Sequence, residues 1–263
     1  MSEPLYNTGA VGYDAFFGQV TRSFLPALLQ AARLQTGQRI LDVATGTGAA
    51  AGAAAAIVGP SGSVVAGDVS PHMLAIAGQN LQGLPVTLQP FDAHALPFPD
   101  GSFDAVLCQL GLMFFDDPAR ALREFLRVLR PGGFAAVSVN STPERSLFLR
   151  VGVAIADRVP ARSEMFRRPF SIRDAGRLRT LFDSADFQTT SILSEARKIR
   201  FASFDDYFSG IEKGATVSGQ EYLLLPEDVR RDVREAVRRG LPQSSSGGPF
   251  EIEMEVLIGS GRR

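Results

Sequence analysis

Short apolar runs alternate with helical stretches from residue 39 to residue 140, and this alternation constrains the fold more than any other feature of the chain. Strands that alternate with helices of about ten to fifteen residues form βαβ units. The sequence therefore predicts a parallel sheet covered by helices on both faces. The predicted strands are Arg39–Val43, Ser63–Gly67, Pro85–Leu88, Phe103–Gln109 and Phe134–Asn140, and the predicted helices are Ala49–Val58, Pro71–Leu81 and Asp117–Leu129.

The two flanking regions are less regular. Before residue 37, apolar positions recur at helical spacing around Pro26, which predicts a helix that starts or kinks there because proline has no N–H to donate. The elements predicted after residue 140 are a helix over Leu147–Val159, a helix capped by Ser171, a strand over Phe187–Phe201, a helix with Pro226 in its first turn, and a half-solvated antiparallel strand over Glu251–Ile258.

Composition and charge exclude several classes of protein. The 263 residues include 27 Lys and Arg against 28 Asp and Glu, a balance that argues against electrostatic binding of nucleic acid. The single cysteine, Cys108, excludes a disulfide framework and a cysteine-based zinc site. The first residues lack the pattern of a secretory signal, and no apolar run is long enough to span a bilayer. We therefore expect a cytoplasmic protein with no metal, no nucleic-acid partner and no membrane insertion.

The most informative segment is LDVATGTG, residues 41–48, which joins the first predicted strand to the helix at Ala49. Glycines there let the backbone approach a ligand closely, and the helix N-terminus presents free N–H groups with a partial positive charge. Gly46, Gly48 and Ala51 also satisfy the dinucleotide fingerprint G-x-G-x-x-A. On its own this segment indicates a nucleotide-like ligand without selecting one.

Three aspartates narrow the choice of ligand. Asp68 closes the next strand twenty residues after Gly48, where a carboxylate can accept hydrogen bonds from both ribose hydroxyls of NAD, FAD or S-adenosylmethionine (SAM). Asp42 precedes the glycines, and its charge would repel a pyrophosphate but suits the amino group of an amino acid. Asp92 follows the third strand, within reach of an adenine amino group. No tyrosine has a lysine four residues on, which argues against hydride transfer.

The order of four segments resembles the class I SAM-dependent methyltransferases, in particular the small-molecule branch that includes the ubiquinone and menaquinone biosynthesis methyltransferases. The segments are LDVATGTG, GDVSPHML, FDAHALPFPDGSFDAV and LREFLRVLRPGG, and the resemblance covers residues 38–140. It implies a Rossmann-like three-layer α/β sandwich with a seven-stranded, mostly parallel sheet, an antiparallel last strand and helical cap insertions. The organisation that we expect is a single domain with an arm and helix over 1–36 as a lid, a SAM-binding core over 37–140, and the rest of the sheet over 141–263 with substrate-cap insertions at 141–170 and 201–240.

The same resemblance assigns a SAM site at the carboxyl ends of the predicted strands, with S-adenosylhomocysteine as the product. It implies that the loop after Asp42 surrounds the methionine portion, that Asp68 binds the ribose, and that Asp92 binds the adenine. Ala44 departs from the glycine that many members have. The full predicted cofactor set is Asp42, Ala44, Thr45, Gly46, Gly48, Asp68, Val69, Met73, Asp92, Ala93, Gln109 and Leu110.

The predicted reaction is methyl transfer to an O, N or C nucleophile of an apolar or aromatic small molecule, mainly by proximity and in-line alignment. No obvious general base is present, and the catalytic candidates are Tyr6, Tyr13 and His94. Two alternatives stay open at this point: an NAD(P)-binding oxidoreductase, and a protein that binds SAM without methylating anything. A homodimer is compatible with the sequence.

Simpler structural roles are expected for several other groups. His72 is predicted on a helix surface, Cys108 on a buried strand, and Asp116 with Asp117 at the start of a helix, where they would act as caps. Six arginines between residues 162 and 179 outnumber the acids there, and we interpret them as a solvated face rather than a substrate site.

Overall fold

The computed structural model describes residues 18, 20–213, 216–241 and 248–263, which contain a seven-stranded sheet. The strands are β1 Arg39–Val43, β2 Ser63–Asp68, β3 Val86–Pro90, β4 Phe103–Gln109, β5 Leu129–Asn140, β6 Gln188–Phe201 and β7 Phe250–Arg262. Their order in the sheet is β3-β2-β1-β4-β5-β7-β6. Strand β7 runs antiparallel to β5 and β6, and the pairs formed by β1 to β5 are parallel. The predicted fold class is confirmed.

Helices cover both faces of this sheet. They are α1 Leu25–Ala31, α2 Ala49–Val58, α3 Pro71–Asn80, α4 Pro118–Val128, α5 Arg150–Arg158, α6 Ser163–Arg167, α7 Ala175–Ser184, α8 Phe204–Glu212, α9 Val217–Leu223 and α10 Glu227–Gly240. Because successive strand residues point to opposite faces, Ile40 and Leu41 enter two different buried clusters. The first cluster packs under α1, α2, α5, α8 and α10, and the second under α4 and α7, which gives three layers. Within the described residues, no helix is both long enough and apolar enough to cross a bilayer.

Side-chain caps fix where several helices begin. Ser70 accepts a hydrogen bond from the backbone N–H of Met73 at 3.3 Å, and Asp117 accepts one from the N–H of Arg120 at 2.9 Å. Each capping residue is followed by a proline, whose missing N–H costs nothing in the first turn. Asp117 therefore has the capping role that the sequence predicted.

The prediction that Ser171 caps a helix is wrong. Asp174 caps α7 by accepting a hydrogen bond from the N–H of Arg177 at 2.7 Å. Ser171 follows a 3₁₀ turn, and its hydroxyl donates to the carbonyl of Met113 at 2.9 Å. Pro226 likewise precedes the first turn of α10 as its N-cap instead of lying within it.

The prediction of a half-solvated final strand is also wrong in part. Strand β7 lies between β5 and β6, and its second half is covered on both faces. Glu255, which the alternation assigns to solvent, is only 4% exposed. Its carboxylate accepts a hydrogen bond from Ser141 Oγ at 2.6 Å and forms an ion pair with Arg145 at 3.1 Å. These partners compensate the buried charge and tie the segment after β5 to β7.

Candidate active site

Three aspartates lie along one edge of the sheet, which we call the acidic edge: Asp42, Asp68 and Asp92. Asp42 is the last but one residue of β1 and pairs with Ala66, Asp68 ends β2 opposite Pro90, and Asp92 follows β3. Because β1, β2 and β3 run parallel, their carboxyl ends meet at the same edge. Ligands of open α/β sheets bind in crevices at that edge.

Asp42 is a fully buried carboxylate with an incomplete set of partners. Thr45 Oγ1 donates a hydrogen bond to Asp42 Oδ2 at 2.6 Å. Asp42 Oδ1 is also buried and has no hydrogen-bond partner of normal geometry among the described residues, although the backbone N–H of Ala51 is close enough to Asp42 to lower its pKa. Burial raises the pKa of Asp42 to about 7, against the lowering effect of the Thr45 hydroxyl. A buried carboxylate with a free oxygen is suited to a cationic donor, which would ionise it and satisfy that oxygen.

The loop after β1 has a left-handed backbone at two glycines, which allows a ligand to approach the main chain closely. Gly46 has φ +55° and Gly48 has φ +90°, a region that favours glycine. A Cβ at Gly46 would meet no atom within 4 Å, whereas one at Gly48 would lie 2.7 Å from Leu81 Cδ1. Space is therefore open beside Gly46, and Gly48 is required by the packing of α3 behind the loop.

Two residues other than glycine share this left-handed conformation at the strand ends. Ala44, after β1, has φ +56°, and Leu110, after β4, has φ +52°. Left-handed backbone at such residues costs free energy and tends to occur at functional sites. A Cβ added to Gly111 would lie 2.7 Å from Ala44 Cβ, so the ends of β1 and β4 approach each other closely here.

Asp68 connects the glycine loop to β2. Its two carboxylate oxygens accept hydrogen bonds from the backbone N–H of Gly46 at 3.0 Å and of Ser70 at 2.9 Å. Burial raises its pKa above the ordinary value. Val69 beside it is 60% exposed, and Met73 on α3 is buried. An exposed valine next to Asp68 offers an apolar surface for a planar ring of a ligand.

Asp92 and His94 form a linked pair at the end of β3. Asp92 accepts hydrogen bonds from the backbone N–H of His94 at 2.9 Å and from His94 Nδ1 at 2.7 Å. The His94 backbone N–H is the main cause that lowers the pKa of Asp92. His94 Nε2 accepts a hydrogen bond from the N–H of Asp117 at 3.2 Å. Both ring nitrogens of His94 are therefore engaged, Nδ1 within the loop and Nε2 with the N-cap residue of α4, and Ala93 is buried.

Gln109 and Leu110 continue the edge past β4. Gln109 Nε2 donates to the carbonyl of Thr21 at 2.8 Å and so connects β4 to the segment before α1. The N–H of Leu110 donates to the carbonyl of Ser138 on β5 at 3.0 Å. These bonds fix the left-handed turn that directs Leu110 away from the sheet.

A cavity of about 90 Å³ adjoins Leu110, and we call it the apolar cavity. Its walls come from the turn after β4, the end of β5 and the segments that contain α5, α6, α8 and α9. Representative lining residues are Leu110, Phe148 and Phe166. Both predicted cap insertions, 141–170 and 201–240, contribute to it. The sequence did not single out Asn140, which also lines this cavity; its one signal was a polar residue at a strand end.

Other candidates lie elsewhere. Tyr6 and Tyr13 are outside the described residues. His72 is exposed on α3, and Cys108 is fully buried, with a pKa that burial raises. In the basic stretch, Arg167 pairs with Asp157 at 2.7 Å on the surface. Within the described parts of the chain, no three His, Cys, Asp or Glu side chains form a group able to hold a metal ion.

Comparison with known proteins shows what parts of the chain are similar to. Residues 41–137 match the family described as "Methyltransferase domain". The matched residues include Asp42, Asp68 and Asp92, so the part of the chain that carries the acidic edge is similar to methyltransferases. In sequence, the chain is similar to the ubiquinone/menaquinone biosynthesis C-methyltransferase UbiE of Geobacter sulfurreducens, with 40% identity over 123 residues, 45% of this chain and 48% of that protein. The chain spans about half the length of the curated relatives it matches.

Solved structures agree in fold over almost the whole chain. The YcgJ protein of Bacillus subtilis has a TM-score of 0.60 at 20% identity and covers 92% of this chain and 98% of its own. A phosphoethanolamine N-methyltransferase of Haemonchus contortus in complex with SAM has a TM-score of 0.59 at 17% identity, over 97% of this chain and 57% of its own. The curated relatives are methyltransferases and give no support to the alternative of an NAD(P)-binding oxidoreductase.

Proposed function

We propose that the chain transfers a methyl group from SAM to a nucleophilic atom of an apolar or aromatic small molecule. The observation that carries this proposal is Asp42, a fully buried carboxylate with one oxygen that has no hydrogen-bond partner of normal geometry among the described residues. A pyrophosphate would be repelled by this side chain, whereas the ammonium of an amino-acid portion would complete its hydrogen bonds. SAM combines that ammonium with a ribose and an adenine.

The remaining residues of the acidic edge fit the other parts of the same molecule. Asp68 accepts backbone hydrogen bonds from Gly46, Ser70 and Val69, and the four lone-pair sites of a carboxylate leave capacity for a ribose hydroxyl. The exposed side chain of Val69 supplies a surface for the adenine, and Asp92 supplies an exposed acceptor for the adenine amino group. The open space beside Gly46 admits the chain of atoms between ammonium and ribose. We assign these roles to the predicted cofactor set.

The chemistry that this chain must provide is mainly alignment. When bound, SAM would supply an electrophilic methyl group on a positively charged sulfur, which would keep the bonding electron pair as a neutral thioether; the acceptor's proton would be released to water before the acceptor enters the cavity or after the product leaves it. Leu110 stands between the acidic edge and the apolar cavity, so the apolar walls hold the acceptor beside the methyl and exclude water. Alignment of this kind can supply roughly 7–11 kcal/mol of the barrier in favourable cases.

General base catalysis is not required for acceptors that lose their proton readily. Tyr6, Tyr13 and His94 stay predictions for that role, and His94 would have to give up the hydrogen bond from Asp117 to act as a base. We also propose the domain organisation given above: a lid over 1–36, a SAM-binding core over 37–140, and cap insertions at 141–170 and 201–240. A homodimer stays a prediction.

Two measurements test the proposed function. Calorimetric titration with SAM, NAD and NADP should give saturable binding of SAM alone. Incubation with radiolabelled SAM and a panel of phenols, quinols and amines should then label at least one small molecule. Binding of a nicotinamide cofactor in place of SAM would refute the proposal, as would transfer of the label to nucleic acid or protein alone. SAM binding with no transfer to any acceptor would favour the protein that binds SAM without methylating.

A further inference from the structure

A second buried polar group has an unpartnered atom, and it lies in the apolar cavity instead of at the acidic edge. Asn140 is the last residue of β5, lines the cavity and is only 3% exposed. Its Nδ2 donates a hydrogen bond to the carbonyl of Pro169 at 3.3 Å. Its Oδ1 is buried and accepts no hydrogen bond from the described residues. A buried carbonyl in this state costs free energy until a donor reaches it.

The orientation of the Asn140 amide follows from its neighbour. Rotating the amide by half a turn would place Oδ1 against the Pro169 carbonyl, so that two acceptors would face each other. The backbone of Asn140 is held as well, because it pairs with Val256 of β7. Oδ1 is therefore the side-chain atom without a partner. Neither rotation of the amide nor movement of the backbone would give it one without losing an existing hydrogen bond.

The rest of the cavity lining supplies apolar contact or hydroxyl groups that are already engaged. Thr216 Oγ1 accepts a hydrogen bond from the N–H of Gly219 at 3.0 Å and lies 3.1 Å from Ser218 Oγ. No charged side chain belongs to the lining among the described residues. An occupant of such a cavity is neutral and mostly apolar, and it has one hydrogen-bond donor for the free carbonyl of Asn140.

We propose that Asn140 determines acceptor specificity by accepting a hydrogen bond from the O–H or N–H group of a neutral, ring-containing acceptor in the apolar cavity. This inference rests on the proposed function, since it places the acceptor of the methyl transfer. It assigns to Asn140 a direct contact with substrate that the motif segments did not indicate. The contact would also orient the ring, because the donor must lie at the end of β5 while the ring packs on Phe148 and Phe166.

The test compares single-ring probes that differ in one group: phenol and aniline as donors, and toluene as the matched apolar ring. The cavity of about 90 Å³ is smaller than the apolar cavities on the order of 150 Å³ that bind benzene, so the probes are limited to a single ring. Dissociation constants are measured by NMR titration for wild type and for Asn140→Leu, which keeps the side-chain size and removes the carbonyl. We expect the preference for phenol or aniline over toluene to fall about three- to tenfold in the variant. The two donor probes distinguish hydroxyl from amine acceptors.

Controls keep the result interpretable. Ser218→Ala changes another polar group of the same cavity and should leave the preference unchanged. If Asn140→Leu fails to fold, Asn140→Ala gives the same comparison. An unchanged preference in a folded Asn140 variant would overturn the inference, as would failure of wild type to bind phenol and aniline at millimolar concentration. SAM titration of the same preparations reports separately on the proposed function, because the probe titrations contain no SAM and therefore measure binding alone.

Discussion

The acidic edge and the apolar cavity, which Leu110 lines, are built in different ways. At the acidic edge, polar side chains are fixed by bonds to the backbone, as in the contact of Asp68 with the N–H of Gly46. Around the cavity, packing of aromatic rings holds the walls. The centre is Tyr207, whose ring lies between 5.2 and 6.4 Å from five phenylalanine rings, those of Phe148, Phe201, Phe204, Phe208 and Phe250. The first kind of site requires given residues at given positions, and the second requires only volume and shape.

The largest effect is expected on the free energy of unfolding, when the ring packing around the cavity is removed. Tyr207→Ala removes the fully buried centre of the ring cluster and should lower the free energy of unfolding by about 3–5 kcal/mol, measured by urea denaturation. Tyr207→Phe is the matched control, because the hydroxyl makes only a long contact, 3.5 Å, to the Phe148 carbonyl. It should change the free energy of unfolding by less than about 1 kcal/mol. Equal losses in the two variants would contradict the role given to ring packing.

The next effect concerns the acidic edge alone. Asp68→Ala removes charged hydrogen bonds worth about 1.5–3 kcal/mol and should weaken SAM binding roughly 10- to 150-fold in calorimetric titration. Met165→Ala, on the cavity side, is the matched control and should leave the SAM dissociation constant unchanged. If Asp68→Ala binds SAM as tightly as wild type, Asp68 does not belong to the site.

The pH dependence of SAM binding should report on Asp42. Since burial raises its pKa to about 7, most Asp42 side chains are protonated at pH 5, and the ammonium of SAM favours the ionised form. SAM affinity should therefore fall by about tenfold for each pH unit below 7, and fall again above about 8 as the ammonium of SAM loses its proton. Titrations from pH 5 to pH 9 measure both changes. The Asp42→Asn variant should bind SAM weakly, with no loss of affinity between pH 7 and pH 5.

Asp42 should affect stability in the opposite direction: low pH weakens SAM binding but stabilises the folded chain without SAM. The pKa of Asp42 in the folded chain exceeds its ordinary value of 3.8, so the folded state holds this proton more tightly than the unfolded state. The contribution of Asp42 to the free energy of unfolding is therefore complete below about pH 4 and is lost as the pH rises to 7. Denaturation of the SAM-free chain across this range should show the loss in wild type and not in Asp42→Asn.

The smallest effect is expected on the surface. Arg167→Ala breaks an ion pair with Asp157 in which both side chains are at least half exposed, and such pairs contribute about 0–1 kcal/mol. Neither SAM affinity nor the preference for phenol over toluene should change, in agreement with a solvated role for the basic stretch. A marked loss of either would show that the basic stretch serves the site after all.

The sequence predicted the acidic edge better than the cavity for a physical reason. The bounds of β1, β4 and α2 match the prediction because glycine, proline and buried apolar runs mark them locally. Glu255 was assigned to solvent because alternation alone does not show that β7 has a neighbour on each side. Asn140 was missed for a related reason: its isolation in an apolar cavity depends on segments far away along the chain, and no local pattern contains that information.

The position of β7 has a consequence for folding order. During synthesis, β5 and β6 leave the ribosome well before β7, yet each can pair in the sheet only with β7 on that side. Until then β5 presents an open edge of unpaired backbone groups, the kind of surface on which nascent chains associate. Asn140 of β5 pairs with Val256, so the end of β5 beside the apolar cavity is completed last. The acidic edge can already form when β1 to β4 have been synthesised. Ribosome-stalled chains that end before residue 250 lack β7, and we therefore expect them to form the acidic edge without completing the apolar cavity.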